Sequence, residues 1–234
     1  MSTTSYPQCW KSETKPPKFC PGCGHLMALR AFGQTVDTLK IQDQTILGVD
    51  IGCSLLAWDF FDLDTIQTHH GRTIPVMLGL KMAQPSKICI AYLGDGGGYA
   101  IGAQHLVNSS LRNDPITVIL INNANYAMTG GQMAPTTLSS QITETTPYGK
   151  KGASLKGPEL ARNINADAFI ARGLAAEIDK TQDLIAKAIQ HQREKNGFSF
   201  VEILAPCPTN WRLAPTEIKS FMDKMRESFP IGEL

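Results

Sequence analysis

Short apolar runs alternate with longer amphipathic stretches along most of the chain. The apolar runs predict strands at Thr45–Val49, Lys87–Leu93, Ile116–Ile121, Ala168–Arg172 and Phe198–Leu204. Apolar residues at helical spacing predict helices near His25–Thr38, Thr73–Met82, Tyr99–Leu111, Thr181–Glu194 and Pro215–Glu227. Strands that alternate with helices are typical of βαβ units. The pattern therefore predicts an α/β fold with a doubly wound, mostly parallel sheet and helices on both faces.

Two segments do not follow this pattern. Residues 1–18 are polar and contain prolines, so we expect an arm that lies on the surface or on a partner. Residues 19–234 then form one domain, although the length alone would also allow two small domains. Tyr126–Pro158 is poor in periodic apolar residues, and segments of that length inside compact domains are usually functional or mobile.

Composition and charge narrow the class of protein. The chain has 234 residues, 42% of them hydrophobic, and a formal net charge of +1, which does not favour a nucleic acid partner. The sequence has no signal peptide pattern or membrane-spanning apolar run, so we expect a cytoplasmic protein with no membrane contact. The six cysteines are then thiols or metal ligands rather than disulfides. Two of them, Cys9 in the polar arm and Cys89 in an apolar run, are not expected to be ligands.

A glycine-rich turn, Gly94–Gly98, follows the second predicted strand. Ligands of doubly wound sheets bind at the carboxyl ends of strands, and glycine lets backbone N–H groups approach phosphate oxygens. The dinucleotide fingerprint needs glycine or alanine at its sixth position. Counting from Gly94 or Gly96 leads instead to Tyr99 or Ile101. The spacing therefore disfavours a nicotinamide dinucleotide site.

Asp95 changes the interpretation of this turn. A carboxylate beside a diphosphate needs a bridging hard cation such as Mg²⁺, which prefers oxygen ligands. The next strand along the chain ends in Asn122 and Asn123, and a βαβ unit would bring them to the same sheet edge as Asp95. The combination indicates a Mg²⁺-diphosphate site, and the alternative is a tight turn followed by a loop-forming asparagine pair.

Four cysteines form a second candidate site. Cys20 and Cys23 flank a Pro-Gly pair that turns both sulfurs toward one ion or cluster. Cys53 and Cys207 each follow a predicted strand, so Cys53 shares the sheet edge of the glycine turn. Four thiolates suit a [4Fe–4S] cluster or a Cys₄ zinc site, and composition does not separate the two.

Six motifs in this order resemble the β subunit of 2-oxoacid:ferredoxin oxidoreductases, which are thiamine diphosphate-dependent enzymes. They are FCPGCGH, DIGCS, THHGRTIPV, GDGG, NNANYAMTGGQMAPTT and PCPTNW, and they run from residue 19 to residue 211. The resemblance implies a thiamine diphosphate-binding fold. It also implies Mg²⁺ held by Asp95, Asn123 and the carbonyl of Asn125, and a [4Fe–4S] cluster held by Cys20, Cys23, Cys53 and Cys207.

The resemblance further implies which residues contact the cofactor. They are Ile51, Gly52, Cys53, Ser54, His70, Gly71, Gly96, Gly97, Ala127 and Met128. Ala127 departs from the family pattern, because several relatives have glycine after the tyrosine, and alanine restricts the backbone there.

Adjacent His69 and His70 cannot both face one site, and we expect His70 to contact the diphosphate. Arg72 has two interpretations, as a substrate or phosphate contact or as a member of a surface ion pair. The remaining histidines are interpreted as ordinary helix residues, at His25, His105 and His191.

The resemblance implies oxidative decarboxylation of a 2-oxoacid to acyl-CoA and CO₂, with electrons passing through the cluster to ferredoxin. The activating glutamate of such enzymes comes from another domain, so no catalytic residue is assigned here. The chain is expected to be inactive alone and to work with an α subunit, with further γ or δ subunits left open. Coenzyme A and the 2-oxoacid are the implied substrates.

The MTGGQMAPTT segment is similar to that of β subunits acting on 2-oxoglutarate or branched-chain 2-oxoacids. Pyruvate is an alternative substrate. Two alternatives to the overall function also remain at this point, a non-oxidative thiamine enzyme subunit with a structural Cys₄ zinc site and a zinc-stapled nucleotide-binding module.

Overall fold

The computed structural model describes residues 6–11 and 13–234, so part of the predicted arm lies outside the described residues. The strands are β1 (Thr45–Val49), β2 (Asp64–Gln67), β3 (Ile88–Gly94), β4 (Thr117–Asn122), β5 (Asn125–Tyr126), β6 (Gln132–Met133), β7 (Phe169–Leu174), β8 (Ser199–Leu204) and β9 (Gly232–Glu233). The α-helices are α1 (Gly24–Leu39), α2 (Thr73–Ala83), α3 (Ala103–Leu111), α4 (Gly157–Ile164), α5 (Ile178–Lys195), α6 (Pro208–Trp211) and α7 (Ile218–Ser228).

Seven strands form one sheet in the order β2-β1-β3-β4-β8-β7-β9. All neighbours pair in parallel except β9, which runs antiparallel to β7 at one edge. Residues of β4 and β8 are buried throughout, as expected of parallel strands that are covered on both faces. The predicted α/β fold with a mostly parallel sheet is confirmed.

Helices cover both faces of the sheet. Along β3, alternate side chains enter two separate cores: Ile90 packs with residues of α1 and α5, whereas Cys89 packs with residues of α2 and α3. Cys89 is fully buried, which agrees with its interpretation as a small core residue. Because strand and helix alternate along the chain, the carboxyl ends of β1, β3, β4 and β8 all meet at one edge.

The sequence pattern missed several short elements, among them β2 and α4, and it did not foresee the division of one helix. Strand β2 lies at a sheet edge and carries polar, partly exposed residues, so it lacks an apolar run. Helix α4 is short and begins near Pro158 at the end of the segment interpreted as a loop. The predicted helix Tyr99–Leu111 is divided at Gly102, with a π-helical turn over Gly97–Ile101 before α3.

The expectation of a surface arm is wrong for part of residues 1–18. Pro7, Cys9 and Trp10 are buried, and the Trp10 ring packs edge-on against Phe60 and Phe61. Cys9 and Trp10 belong to the same core cluster as residues of α1 and α5. A single apolar cluster in a polar segment has no periodicity, so the pattern alone could not place it in the core.

The long segment after β5 is held in place by hydrogen bonds rather than by regular structure. The Lys150 ammonium donates to the carbonyls of Pro135 (2.8 Å) and Thr137 (2.6 Å). The Thr137 hydroxyl in turn donates to the carbonyl of Ala124 (2.5 Å). These bonds fix the segment against the loop that follows β4. Across the described part of the chain, none of the helices is both long and apolar enough to cross a membrane.

Candidate functional site

A cleft of about 80 Å³ opens to solvent at the carboxyl ends of β1, β3 and β4, the edge where ligands of such sheets bind. Residues from six segments line it: His25, Ile51–Ser54, His70, Gly94–Gly97, Ile101 and Asn123 with Asn125–Thr129. The structure thus brings together the residues predicted for the cofactor and for Mg²⁺, with one exception. Gly71 lies behind the wall, where its N–H donates to Asp50.

Asp95 is fixed at the end of β3. Its Oδ1 accepts the N–H of Gly96 (2.8 Å), and its Oδ2 accepts the hydroxyl of Thr136 (2.5 Å). Burial raises the pKa of Asp95 to about 7, although the Thr136 and Gly96 bonds lower it. Such a carboxylate gains from a cation beside it, which fits Mg²⁺. Thr136 has no local signal in the sequence, because it comes from the long segment after β5.

The two adjacent asparagines at the end of β4 have different surroundings. Asn122 is buried and faces the protein, where its side-chain NH₂ donates to Glu202 (3.3 Å). Asn123 lines the cleft, and its side-chain oxygen accepts the N–H of Asn125 (3.3 Å). Ala124, which lies between Asn123 and Asn125, has a left-handed φ of 61°. The turn therefore presents the second asparagine, and not the first, beside Asp95.

Glycines leave the space that a cofactor would need. A methyl group at Gly94 or Gly52 would meet no protein atom within 4 Å, so it would project into the cleft. A methyl group at Gly96 would collide with the Tyr126 ring, and one at Gly97 with the Asp50 carboxylate. One side of the turn thus packs against Tyr126 and Asp50, and the other side is open to the cleft. Thiamine diphosphate fits this shape, because backbone N–H groups can approach its phosphates.

Asp50 is a buried residue that the sequence reasoning missed. It follows β1, and its Oδ1 accepts the N–H of Gly71 (2.8 Å). Its Oδ2 is buried and has no hydrogen-bond partner among the described residues. Burial raises the pKa of Asp50 to about 6, against the lowering effect of the Gly71 and Ile51 N–H groups. The available signal was a lone acid directly after the apolar run TILGV.

The four candidate cysteines lie near one another beside the cleft. Burial raises the pKa of Cys53 to about 12, with further increases from the charges of Cys23, Cys207 and Cys20. All four are free thiols, from exposed Cys20 to buried Cys207. Four converging thiols suit a metal or cluster that accepts them as thiolates. In the described chain, however, no three His, Cys, Asp or Glu side chains already stand in metal-binding geometry.

His25 lines the cleft, although it was interpreted as an ordinary helix residue. Its Nδ1 lies 2.7 Å from the Tyr92 hydroxyl, and its ring stacks on Phe19 with centroids 5.6 Å apart. Burial lowers the pKa of His25 to about 3, so the ring is neutral. His25 thus lies between the turn that carries Cys20 and Cys23 and the cleft.

The other histidines differ in position. His70 lines the cleft and is exposed, whereas His69 is not among the lining residues. Arg72 contacts His105, and neither of these two residues lines the cleft. His191 lies on α5 with its ring 6.4 Å from that of Phe169, remote from the cleft.

A buried ion network lies behind the glycine turn. Arg172 on β7 bonds Glu202 on β8 and also Glu159 on α4 (2.6 Å). Glu202 accepts the Tyr99 hydroxyl (2.5 Å) as well as the Asn122 amide. Burial alone would lower the pKa of Arg172, but its bonds to Glu159 and the charge of Glu202 raise it. The network ties the turn to two strands and to α4.

Comparisons with known proteins agree with this geometry. Residues 50–203 match the family model described as "Thiamine pyrophosphate enzyme, C-terminal TPP binding domain". The chain is 35% identical to ketoisovalerate oxidoreductase subunit VorA of Methanothermobacter marburgensis over 91% of its own length and 46% of that protein. It is 34% identical to 2-oxoglutarate synthase subunit KorB of Archaeoglobus fulgidus over 96% of its own length and 81% of that protein.

A solved structure is similar as well. It is the 2-oxoglutarate:ferredoxin oxidoreductase from Magnetococcus marinus with 2-oxoglutarate, coenzyme A and succinyl-CoA bound. The two chains superpose with a TM-score of 0.83 at 27% identity, over 98% of this chain and 84% of that one. Against the VorA proteins, by contrast, the chain spans about half of the relative's length.

Proposed function

Because the chain belongs to the thiamine pyrophosphate-binding β subunits of 2-oxoacid:ferredoxin oxidoreductases, we propose that it is one part of a CoA-dependent 2-oxoacid:ferredoxin oxidoreductase. The complete enzyme would convert a 2-oxoacid and coenzyme A to acyl-CoA and CO₂ and pass two electrons to ferredoxin. The observation that carries this proposal is the meeting of Asp95, Asn123 and Asn125 around a glycine-walled cleft.

In this proposal, the diphosphate edge is built by three groups of residues. Asp95, the Asn123 side chain and the Asn125 carbonyl would hold Mg²⁺, since all three offer oxygen ligands. Backbone N–H groups of Gly96 and Gly97, together with His70, would contact the phosphates. Thiamine diphosphate, when bound, supplies the electron sink that 2-oxoacid decarboxylation needs. The remaining predicted contacts, Ile51–Ser54 and Ala127–Met128, line the same cleft.

We further propose that Cys20, Cys23, Cys53 and Cys207 hold a [4Fe–4S] cluster. Cys53 supports this assignment because it lines the cleft and also lies in the electrostatic field of the other three thiols. A cluster held there would border the reaction site and accept electrons one at a time. A zinc site with the same ligands would provide no electron outlet, which favours the cluster.

The activating carboxylate is expected on an α subunit. No described residue of the cleft lining is a glutamate. Met128 and Ile101 at the cleft are each 47% exposed, as expected for apolar residues that a partner covers. We therefore propose that the chain is inactive alone and that the α subunit completes the cleft. Ferredoxin would be the electron acceptor, and additional γ or δ subunits are compatible with this arrangement.

The proposed substrate is 2-oxoglutarate or a branched-chain 2-oxoacid, the two classes in the names of the relatives. The described lining contains no lysine or arginine. A second carboxylate, as in 2-oxoglutarate, would thus need a cation from the partner. The apolar side chains of Ile51, Ile101 and Met128 favour the branched-chain class on this chain's side of the cleft.

The test is co-expression of this chain with an α subunit that carries the pyrimidine domain. We expect CoA-dependent reduction of viologen with 2-oxoisovalerate or 2-oxoglutarate above the rate with pyruvate. The purified complex should contain thiamine, iron and sulfide, and its brown colour should be bleached by dithionite. No reduction with any of the three acids would contradict the activity. A colourless protein loaded with zinc would contradict the cluster.

A further inference from the structure

His25 is held in one orientation at the wall of the cleft. Its Nδ1 lies 2.7 Å from the Tyr92 hydroxyl, and its ring lies parallel to that of Phe19, with an interplanar angle of 9°. Tyr92 is on β3 and stands two residues before Gly94, so the pair joins the first helix to the strand that carries the glycine turn. Two fixed contacts leave the ring little freedom to rotate.

The Tyr92 hydroxyl determines which ring nitrogen of His25 carries the proton. Tyr92 is buried, and within the described part of the chain its hydroxyl has His25 Nδ1 as its only hydrogen-bond partner. A buried hydroxyl that fails to donate loses most of a hydrogen bond, so the Tyr92 O–H donates to Nδ1. In a neutral ring the proton is then on Nε2, which becomes a donor.

The Nε2 atom of His25 bonds no described residue, yet it is not among the fully buried polar atoms that lack a partner, so part of its surface is open. His25 also lines the cleft together with Ile51, Gly52 and Cys53. The open edge of the ring therefore points to the space beside these residues.

We propose that the Nε2–H of His25 donates a hydrogen bond to an oxygen of the bound 2-oxoacid and that Tyr92 is the positioning residue that fixes this tautomer. The inference rests on the proposed function, which supplies a ligand rich in acceptor oxygens. The described lining has no lysine or arginine to meet such an oxygen, so a neutral donor has this role. A donor aimed at the carbonyl oxygen would act mainly on kcat, and one aimed at the carboxylate mainly on KM.

The test compares three variants in the reconstituted complex with its α subunit. His25→Leu removes the donor and should lower kcat/KM for the 2-oxoacid by about 100-fold, as for loss of one oriented donor. His25→Gln keeps an N–H near the same place and should recover part of the loss. Tyr92→Phe removes the hydroxyl that fixes the tautomer and should lower kcat/KM by about 10-fold, the effect of one lost hydrogen bond. His191→Leu, remote from the cleft, is the matched control and should match the parent.

Two further measurements separate this role from a structural one. Thiamine and iron content should equal those of the parent in all variants. A stable acylphosphonate analogue of the 2-oxoacid should bind His25→Leu more weakly than His25→Gln by calorimetry. Parental kcat/KM and analogue binding in His25→Leu would overturn the inference, as would a loss that follows missing thiamine or iron. Failure of the parent with every 2-oxoacid would instead overturn the proposed function, and this inference with it.

Discussion

The diphosphate edge and the cysteine site lie side by side, yet they are built in opposite ways. The diphosphate edge, made of Asp95, Asn123, Asn125 and the glycine turn, is fixed by hydrogen bonds within the protein. The cysteine site, made of Cys20, Cys23, Cys53 and Cys207, consists of free thiols from separate segments. The oxygen ligands of the first site are held by hydrogen bonds of the protein, whereas burial raises the pKa of the thiols of the second, which need a metal or cluster to favour their ionised form.

The two regions meet at Asn125. The Asn125 backbone belongs to the diphosphate edge, and its side chain lies near the thiol of Cys207. Burial raises the pKa of Cys207, and the polar contact with Asn125 lowers it. The charge of Asp95 also reaches Cys53 and raises the pKa of that thiol. A cation at the diphosphate edge would therefore ease ionisation of the neighbouring thiols.

The largest expected effect tests the dependence of the cysteine site on its ligand. Cys20 is exposed, so Cys20→Ala removes a proposed ligand and almost no packing. We expect loss of nearly all iron and of the visible absorption, because a cluster lacking one of four ligands is not retained. Thiamine diphosphate binding should persist. Iron analysis and calorimetry give the two readouts.

Cys89→Ala is the matched control for this comparison, since Cys89 is a buried thiol outside the site. It should keep its full iron content. Equal iron loss in both variants would mean that the cysteine site has no special role.

The next effect concerns the support behind the diphosphate edge. Arg172→Met leaves Glu202 buried without its cation and should lower the free energy of unfolding by about 3–5 kcal/mol. Urea denaturation measures the change. Lys187→Met breaks an exposed pair with Glu233 and should leave stability nearly unchanged. Similar values for the two variants would contradict the supporting role of the network.

Asp50 has a buried carboxylate oxygen that no described residue hydrogen-bonds, and it makes stability depend on pH. Its pKa is raised from 3.8 to about 6, so the folded chain keeps a proton that the unfolded chain releases near pH 4. Stability therefore falls as pH rises through this window, by up to about 3 kcal/mol. Asp50→Asn should remove that loss.

The measurement is the free energy of unfolding of parent and Asp50→Asn between about pH 4 and pH 7. As pH rises, the free energy of unfolding of Asp50→Asn should increase relative to that of the parent. The charge of His70 lowers the pKa of Asp50, so both curves are also measured in a His70→Asn background. Parallel curves in both backgrounds would show that Asp50 does not titrate in this window.

The smallest expected effect tests the prebuilt diphosphate edge directly. Asp95→Asn keeps the shape but loses the charge, and it should weaken Mg²⁺-dependent thiamine diphosphate binding by about 10- to 100-fold. Asp114→Asn is the control, because Asp114 is a buried acid bonded to Ser109 and Arg112 away from the cleft. Calorimetry with and without Mg²⁺ measures both. Equal weakening would contradict a metal role for Asp95.

Much of the fold was predictable from local pattern. Strand β1 has the bounds that its apolar run predicts, and β3 and β4 differ from prediction by one residue at each end. Buried parallel strands are continuous apolar runs, so their signal is strong. The edge strand β2 and the buried Trp10 were not predicted, because one is polar and the other stands alone in a polar segment.

The sequence by itself determined the parts of the site that follow from chain order. Asp95 and Asn123 come after neighbouring parallel strands, so topology alone brings them to one edge. The tertiary structure decided how that edge is held. Thr136 reaches Asp95 from 41 residues away, Tyr92 orients His25 from 67 residues away, and Arg172 pairs with Glu202 across two strands. Such contacts depend on the packing of distant segments, which leaves no periodic trace in the sequence.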